Sequence, residues 1–252
     1  MIKAVLFDMG GVLHVCSHSE ERNLWFAKRV LGRLSEYGIH LDTSPEDLDA
    51  RMRVNAAIYK SEVETSLREM PTEIFWNDYL LREYNIGRER LAYLSEELSF
   101  LYDYERVCNM RRPNLIETME KLKSMDLRMG VISNIVSTTI VSHFMKEYGL
   151  EKYLDCVLDS ANTGIRKPDA SIFRIAEAAM QLKPEELAYV GDTISRDVRG
   201  VRNAGWKIAI QIPCESTACR DVCMKGLGYA PDYIIEDLLE IPRIIAEFNR
   251  QS

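Results

Sequence analysis

The chain has 252 residues, 46% hydrophobic and 28% charged, which is the composition of an ordinary globular protein long enough to bury a core. Its formal net charge of -7 at pH 7 argues against a broad nucleic-acid or anionic-membrane surface, while leaving room for a local basic pocket that binds a small anion. No apolar stretch approaches the length of a membrane span, and Met1–Lys3 leads directly into a strand-like run, so we expect a cytoplasmic location.

The first predicted element is a short buried strand, Lys3–Phe7, which ends at an aspartate and two glycines. From about Ser19 to Tyr104, apolar residues recur at helical spacing instead. We predict four or five antiparallel helices and no strand in this stretch, inserted directly after the first strand. The predicted domains are therefore a helical domain at 17–107 and a core made of 1–16 and 108–252.

Strands and helices alternate through the rest of the chain. Further strands are predicted at Arg128–Ser133, Cys156–Leu158, Leu187–Val190, Lys207–Ile212 and Tyr233–Ile235. The helical patterns lie at Pro113–Met125, 137–148, 170–181 and 195–204. This alternation predicts an α/β fold with a doubly wound parallel sheet, which binds ligands beyond the carboxyl ends of its strands.

Four short motifs hold the residues suited to chemistry. They are, in chain order, Phe7–Leu13, Val131–Asn134, Arg166–Asp169 and Gly191–Asp197. Asp8, Ser133 and Asp192 each follow a predicted strand directly, so these side chains can converge at one edge of the sheet.

The first two motifs suit phosphoryl transfer. The Asp8 carboxylate can attack phosphorus and form an aspartyl phosphate, which splits one displacement into two easier steps. Gly10 and Gly11 allow a tight turn that brings backbone groups close to a phosphate or a metal. The Ser133 hydroxyl can hold a phosphoryl oxygen, and Asn134 can orient the nucleophile or the substrate.

The last two motifs add a cation and two acids. Lys167 can present a point charge to both phosphate and carboxylate. Asp192 and Asp197 open a predicted helix, and two acids facing Asp8 suit Mg²⁺, which binds few protein carboxylates together with waters and phosphate oxygens. Each motif alone has an ordinary explanation, such as a helix cap or a surface lysine. All four in this order, with all but the lysine motif directly after a predicted strand, favour a phosphoryl-transfer site.

Together these motifs resemble those of the haloacid dehalogenase-like (HAD) hydrolase superfamily, over essentially the whole chain. Val198–Gly205 is similar to the helix that follows the last motif in phosphoglycolate-phosphatase-like members. The resemblance implies a Rossmann-like core, with the helical insertion acting as a C1-type cap. It also implies Mg²⁺ held by Asp8, Asp192 and the backbone carbonyl of Gly10, with Asp197 in support, directly or through water.

The predicted function is therefore that of a Mg²⁺-dependent phosphatase acting on a small phosphorylated metabolite, in which the cap reads the leaving group. Asp8, Ser133 and Lys167 are the expected catalytic residues, and Asn134 and Gly11 the expected substrate-binding ones. The sequence leaves the substrate and the oligomeric state open.

The chain departs from the family pattern at Gly10. Most family phosphatases carry a second aspartate there, two positions after the nucleophile, as general acid and base. General acid–base catalysis is typically worth about 10²–10⁴ in rate. We therefore expect slow turnover of alkyl phosphates, or a preference for good leaving groups, unless another group such as His14 or His18 has taken over the role.

Two alternatives remain open. In a 2-haloacid dehalogenase, Asp8 would attack carbon without a metal, and the pair Asp192 and Asp197 would have no role. In a catalytically weakened binding or regulatory protein, the fold would persist without turnover. A further cluster, Cys214, Cys219 and Cys223, lacks the paired spacing and the fourth ligand of a zinc site, so we interpret these cysteines as reduced thiols.

Overall fold

The computed structural model describes residues 1–251. Its strands, in chain order, are β1 (Ala4–Phe7), β2 (His14–Ser17), β3 (Cys108–Arg111), β4 (Arg128–Ser133), β5 (Cys156–Asp159), β6 (Leu187–Gly191), β7 (Ile208–Gln211) and β8 (Tyr233–Ile234). Six of them form a parallel sheet in the order β5-β4-β1-β6-β7-β8. The predicted α/β fold with a doubly wound parallel sheet is confirmed, and each predicted strand is present with slightly different ends.

Helices cover both faces of this sheet and fill the insertion after β2. The α-helices are α1 (Glu20–Glu36), α2 (Pro45–Ser66), α3 (Thr72–Ile74), α4 (Arg88–Leu91), α5 (Ser95–Tyr104), α6 (Leu115–Ser124), α7 (Ile140–Glu147), α8 (Ser160–Thr163), α9 (Ala170–Met180), α10 (Arg199–Ala204) and α11 (Glu240–Gln251). Shorter π or 3-10 segments lie at Phe75–Leu80, Arg82–Tyr84, Glu151–Tyr153, Pro184–Glu186, Ile194–Val198 and Glu215–Met224. Within residues 1–251, no helix combines the length and apolar character that crossing a bilayer requires.

The central strand β1 is buried on both faces. Val5 and Phe7 belong to the apolar cluster on one side of the sheet, and Ala4 and Leu6 belong to the cluster on the other side. This alternation follows from the two-residue repeat of a strand, and burying each large apolar side chain contributes about 1.5–3 kcal/mol. A continuous apolar run is thus what a strand between two helical layers requires.

The helical insertion has an apolar cluster of its own, which includes Phe26, Tyr59 and Trp76. Its first two helices begin at serine caps: Ser19 Oγ accepts the N–H of residue 22, and Ser44 Oγ accepts the N–H of residue 47. As the sequence predicts, the stretch from about Ser19 to Tyr104 is helical and contains no strand.

The structure adds two features that the sequence analysis does not predict. The chain enters the insertion through β2 and returns through β3, and these strands pair antiparallel, with His14 opposite Arg111. Helix α11 packs Ile241, Ile244 and Ile245 against the core. The two-stranded ribbon therefore connects the helical insertion to the parallel sheet.

Candidate active site

The carboxyl ends of β1, β4 and β6 meet at one edge of the sheet, because Phe7 lies opposite both Val131 and Val190. Asp8 extends this pairing, since its N–H donates to the Val190 carbonyl at 2.9 Å. A cavity of about 420 Å³ opens beyond these strand ends, between the sheet edge and the helical insertion. Asp8, Gly10, Gly11, Ser133 and Asn134 line it, as the strand-end argument predicts.

Three aspartates form a compact acidic cluster beneath this cavity. One carboxylate oxygen from each of Asp8, Asp192 and Asp197 lies within 4.8 Å of the others. Asp192 and Asp197 are buried, whereas Asp8 retains some exposure toward the cavity. The structure therefore brings together the three acids predicted to hold a metal.

Lys167 is the cation of this cluster, and its side chain is fully buried. Its ammonium group lies 2.7 Å from Asp197 Oδ1 and 3.0 Å from Asp8 Oδ1, and it donates to the Tyr189 hydroxyl at 2.8 Å. Tyr189 in turn donates to the Ile132 carbonyl at 2.8 Å. The three N–H donors of Lys167 thus have three acceptors, which fixes the ammonium beside Asp8.

The electrostatics of the cluster reflect burial and an excess of negative charge. Burial raises the pKa of Asp8 against the opposing effect of Lys167, and burial together with the other two aspartates raises the pKa of Asp192 to about 8. Burial acts on Asp197 in the same direction, but the charge and hydrogen bond of Lys167 lower the pKa of Asp197 overall. Three carboxylates face a single ammonium, so a bound divalent cation would offset the remaining repulsion.

The carboxylate oxygens of the acidic cluster are ligands that suit Mg²⁺, but the three aspartates are not equally free to bind it. Both oxygens of Asp197 are engaged: Oδ1 by Lys167, and Oδ2 by the N–H and hydroxyl of Thr193 at 3.0 and 2.7 Å. Asp8 and Asp192 are freer to offer an oxygen to a hard cation. This arrangement favours Asp197 as a support for Lys167 and for the loop after β6.

The two glycines after Asp8 have different steric surroundings. A Cβ at Gly11 would lie 2.2 Å from Asp192 Oδ2, and the φ of Gly11 is +83°. A Cβ at Gly10 would meet no atom within 4 Å. The structure therefore requires glycine at position 11, where the backbone passes close to an acid, but places no such demand on position 10.

Ser133 and Asn134 follow β4 and have different surroundings. Ser133 is buried at the strand end and lines the cavity. The Asn134 amide exchanges two hydrogen bonds with the Lys167 backbone: its Oδ1 accepts the N–H at 2.8 Å, and its Nδ2 donates to the carbonyl at 2.9 Å. Asn134 thus ties the loop that carries Lys167 to the end of β4.

Three titratable groups that line the cavity are candidates for the general acid that Gly10 cannot provide. His14 packs against Phe144, and burial lowers its pKa to about 4, which disfavours the imidazolium form that a general acid needs near pH 7. Partial desolvation also lowers the pKa of His18, which lines the same cavity. Asp103 lines it too, and burial raises the pKa of this carboxyl to about 7. Of these three groups, Asp103 is the one whose pKa lies closest to neutral pH.

The segment Glu215–Met224 forms a further wall of the site, which sequence reasoning misses. The Thr217 hydroxyl donates to Asp192 Oδ2, and the Asp221 carboxylate accepts the N–H groups of Ile194 and Ser195 at 2.7 and 2.9 Å. The segment is polar and lacks a clear helical or strand repeat, so periodicity gives no signal for it. The cysteine cluster of this region contributes no ligand group, since among residues 1–251 only the aspartate cluster has metal-site geometry and all six cysteines are unpaired.

The helical insertion is held against the core by ion pairs at the edge of the cavity. Glu69, just after α2, pairs with Arg166, the first residue of the motif that contains Lys167, and both side chains are buried. Glu64 on α2 pairs with Arg196 after β6. These contacts place α2 over the strand ends.

Lys167 offers a test of how the acidic cluster is stabilised. Replacing Lys167 with methionine leaves the buried Asp197 without its cation, and breaking a buried pair in this way costs about 3–5 kcal/mol. We expect that loss in the free energy of unfolding measured by urea titration. The matched variant Lys121→Met breaks an exposed pair with Glu117 and should cost less than about 1 kcal/mol. Equal losses in the two variants would contradict this account.

A doubly wound sheet with a helical insertion and strand-end carboxylates around a buried lysine defines a class of α/β enzyme. The chain belongs to the haloacid dehalogenase-like hydrolase family, whose family model matches residues 2–205. The predicted family is thereby confirmed, and the chain is a hydrolase.

Relatives with known names agree with this assignment. The chain is 25% identical to the glyceraldehyde 3-phosphate phosphatase of Methanopyrus kandleri, over 98% of this chain and 100% of that protein. It is 26% identical to a HAD phosphatase from Thermococcus onnurineus of known structure, with a TM-score of 0.60 over 97% of this chain and 98% of that one. A 2-haloacid dehalogenase from Pseudomonas syringae pv. Tomato DC3000 has the same fold at 22% identity, with a TM-score of 0.67 over 98% of this chain and 100% of that one.

Proposed function

We propose that the chain is a Mg²⁺-dependent phosphatase that hydrolyses a small phosphorylated metabolite through an aspartyl phosphate on Asp8. The observation that carries this proposal is the position of Asp8, which faces the cavity, touches the buried ammonium of Lys167 and lies beside the carboxylate of Asp192. The similarity to named phosphatases over nearly the whole chain supports the same chemistry.

In the proposed reaction, an Asp8 oxygen attacks the phosphorus atom and the alkoxide leaves, after which water hydrolyses the acyl phosphate. Lys167 holds Asp8 in place and offsets the charge of the phosphoryl oxygens. Ser133 donates to one of those oxygens, and Asn134 keeps the Lys167 loop in register. Bound Mg²⁺, held by Asp8, Asp192 and the Gly10 carbonyl, would supply charge stabilisation for the phosphoryl group.

Residues 17–107 act, in this proposal, as a cap over a core of residues 1–16 and 108–252. Helix α2 lines the cavity through Tyr59 and Lys60, and the pairs of Glu64 and Glu69 with core arginines hold it over the strand ends. A closed lid of this kind keeps water away from the acyl phosphate until the alcohol product has left the cavity.

The alternative of attack on carbon is less well supported by the site. A dehalogenase needs no metal, and the buried carboxylate of Asp192 would then carry an energetic cost without a function. The similarity to a known dehalogenase structure is at the level of the fold. The phosphatase proposal uses every member of the acidic cluster.

Hydrolysis of p-nitrophenyl phosphate tests the proposal, because its leaving group hardly needs protonation and the missing acid at Gly10 is bypassed. We expect turnover that requires Mg²⁺, disappears with EDTA and returns when Mg²⁺ is added in excess. Folded wild-type protein that shows no turnover would favour the binding protein. Halide release from 2-chloropropionate without Mg²⁺ would favour the dehalogenase.

A further inference from the structure

We propose that Arg220, together with Arg106 and Lys60, forms a subsite for a second anionic group of the substrate, a carboxylate or a second phosphate. This inference rests on the proposed phosphatase function and specifies the substrate class. The substrate would place its scissile phosphate at Asp8 and its second anion beside these three cations, which line the same cavity.

Arg220 is placed in the cavity by the segment Glu215–Met224. Thr217 on one side of it is bonded to Asp192, and Asp221 on the other side accepts the N–H groups of Ile194 and Ser195. Both contacts anchor the segment to the end of β6. Arg220 lies between these anchors and lines the cavity that Asp8 also lines.

The Arg220 guanidinium forms no hydrogen bond and no ion pair with any residue from 1 to 251, although burial and the neighbouring charge of Arg196 lower its pKa. Two other arginines of the cavity are paired: Arg166 with Glu69 and Arg196 with Glu64. A partly desolvated guanidinium without a partner costs free energy, so a ligand anion is the partner that this geometry lacks.

Charges of both signs lie around Arg220: the charge of Arg196 lowers its pKa, whereas those of Asp192, Asp8 and Glu64 raise it. The cavity lining holds five lysines and arginines against two carboxylates, Asp8 and Asp103. Partial desolvation lowers the pKa of His18, and the charges of Arg106 and Arg220 lower it further. Partial desolvation likewise lowers the pKa of Lys60, and Arg220 adds to this effect while Glu64 opposes it. Like charges gathered in a cleft are typical of an anion-binding site.

The second anion is distinct from the phosphoryl group that reacts. In the proposed reaction, Lys167 and the metal would bind the reacting phosphate at the sheet edge. Lys60 and Arg106 belong to the helical insertion and to the turn after α5, so they approach from the opposite wall. A cavity of about 420 Å³ accommodates a small metabolite that spans these two ends.

Binding to the Asp8→Asn protein with Mg²⁺, measured by isothermal titration calorimetry, tests the subsite without turnover. The first pair of probes is 3-phosphoglycerate and glycerol 3-phosphate, which share a three-carbon chain and differ in the carboxylate. The second pair is ribulose 1,5-bisphosphate and ribulose 5-phosphate, which differ in one phosphate. We expect the member with two anionic groups in one pair to bind about tenfold more tightly or better, as one charged hydrogen bond predicts.

Adding Arg220→Gln should reduce this discrimination toward unity, whereas Arg220→Lys should restore part of it because the charge remains. Arg243→Gln, at an exposed arginine on α11, is the matched control and should leave the ratio unchanged. Discrimination in the first pair identifies a carboxylate, and discrimination in the second identifies a phosphate; either supports the subsite. Equal affinities in both pairs, no binding of any probe, or discrimination that survives Arg220→Gln would overturn it. A failure of the phosphatase proposal appears separately, as absent turnover by the wild type.

Discussion

Replacing Asp8 with asparagine is expected to lower kcat/KM for p-nitrophenyl phosphate by about 10⁴-fold or more, because an amide cannot form the acyl phosphate. The substitution keeps the size of the side chain, so Lys167 keeps its contacts with Asp197 and Tyr189. The loss should therefore appear in kcat while the protein remains folded, as circular dichroism and urea unfolding would verify.

The matched control for Asp8 is Glu117→Gln, the same change from carboxylate to amide at an exposed position on α6. This variant should retain wild-type turnover. Residual activity of Asp8→Asn within about tenfold of the wild type would contradict a covalent role, since loss of a nucleophile normally costs several orders of magnitude. Rapid-quench detection of a phosphorylated protein, present in the wild type and absent in Asp8→Asn, would test the intermediate directly.

Much of the fold could be predicted from the sequence because the parallel strands have a clear pattern of apolar residues. A strand between two helical layers must be apolar on both faces, and β1, β4 and β6 are short apolar runs that end at polar residues. The strands β2 and β3 gave no such signal, since His14–Ser17 and Cys108–Arg111 mix polar and apolar residues over four positions each. Helix α11 is also absent from the predicted elements, although Ile241, Ile244 and Ile245 recur at helical spacing.

The candidate site could be predicted in part, for a reason of topology. Residues that follow directly on parallel strands must meet at one sheet edge, which is why Asp8, Ser133 and Asp192 are adjacent. Lys167 does not follow a strand directly, so its predicted role rests on the order of the four motifs and on the family resemblance, not on the strand-end argument. Its ammonium also donates a hydrogen bond to Tyr189, which helps to hold it beside Asp8. Tyr189 lies inside β6, where the sequence pattern indicates only a core residue.

The walls of the cavity were beyond sequence reasoning. Arg220 lies in a polar segment with no repeat, and its position depends on long-range contacts from Thr217 and Asp221. Tyr59 and Trp76 both belong to the insertion's apolar cluster, but of the two only Tyr59 also lines the cavity. Helical spacing places both on an apolar face and does not separate these outcomes.

Restoring an acid at position 10 is expected to increase turnover of alkyl phosphates. Gly10→Asp adds a carboxyl two residues after the nucleophile, where the family resemblance places the general acid and base, and a Cβ there meets no atom within 4 Å. General acid–base catalysis predicts a gain of about 10² or more in kcat for glycerol 3-phosphate. The gain for p-nitrophenyl phosphate should be much smaller, because p-nitrophenolate leaves without protonation. The ratio of the two kcat values is the quantity to measure.

Gly10→Ala separates the carboxyl from the mere presence of a side chain, and this variant should leave the ratio of kcat values unchanged. A rise confined to the alkyl ester in Gly10→Asp would assign the slow step to the proton that Gly10 cannot supply. An equal change on both esters would point instead to altered metal or substrate binding, since a fourth carboxylate beside Asp8 and Asp192 also changes the local charge. No change on either ester would mean that another group already transfers the proton, and His18 and Asp103 are two titratable side chains that line the cavity.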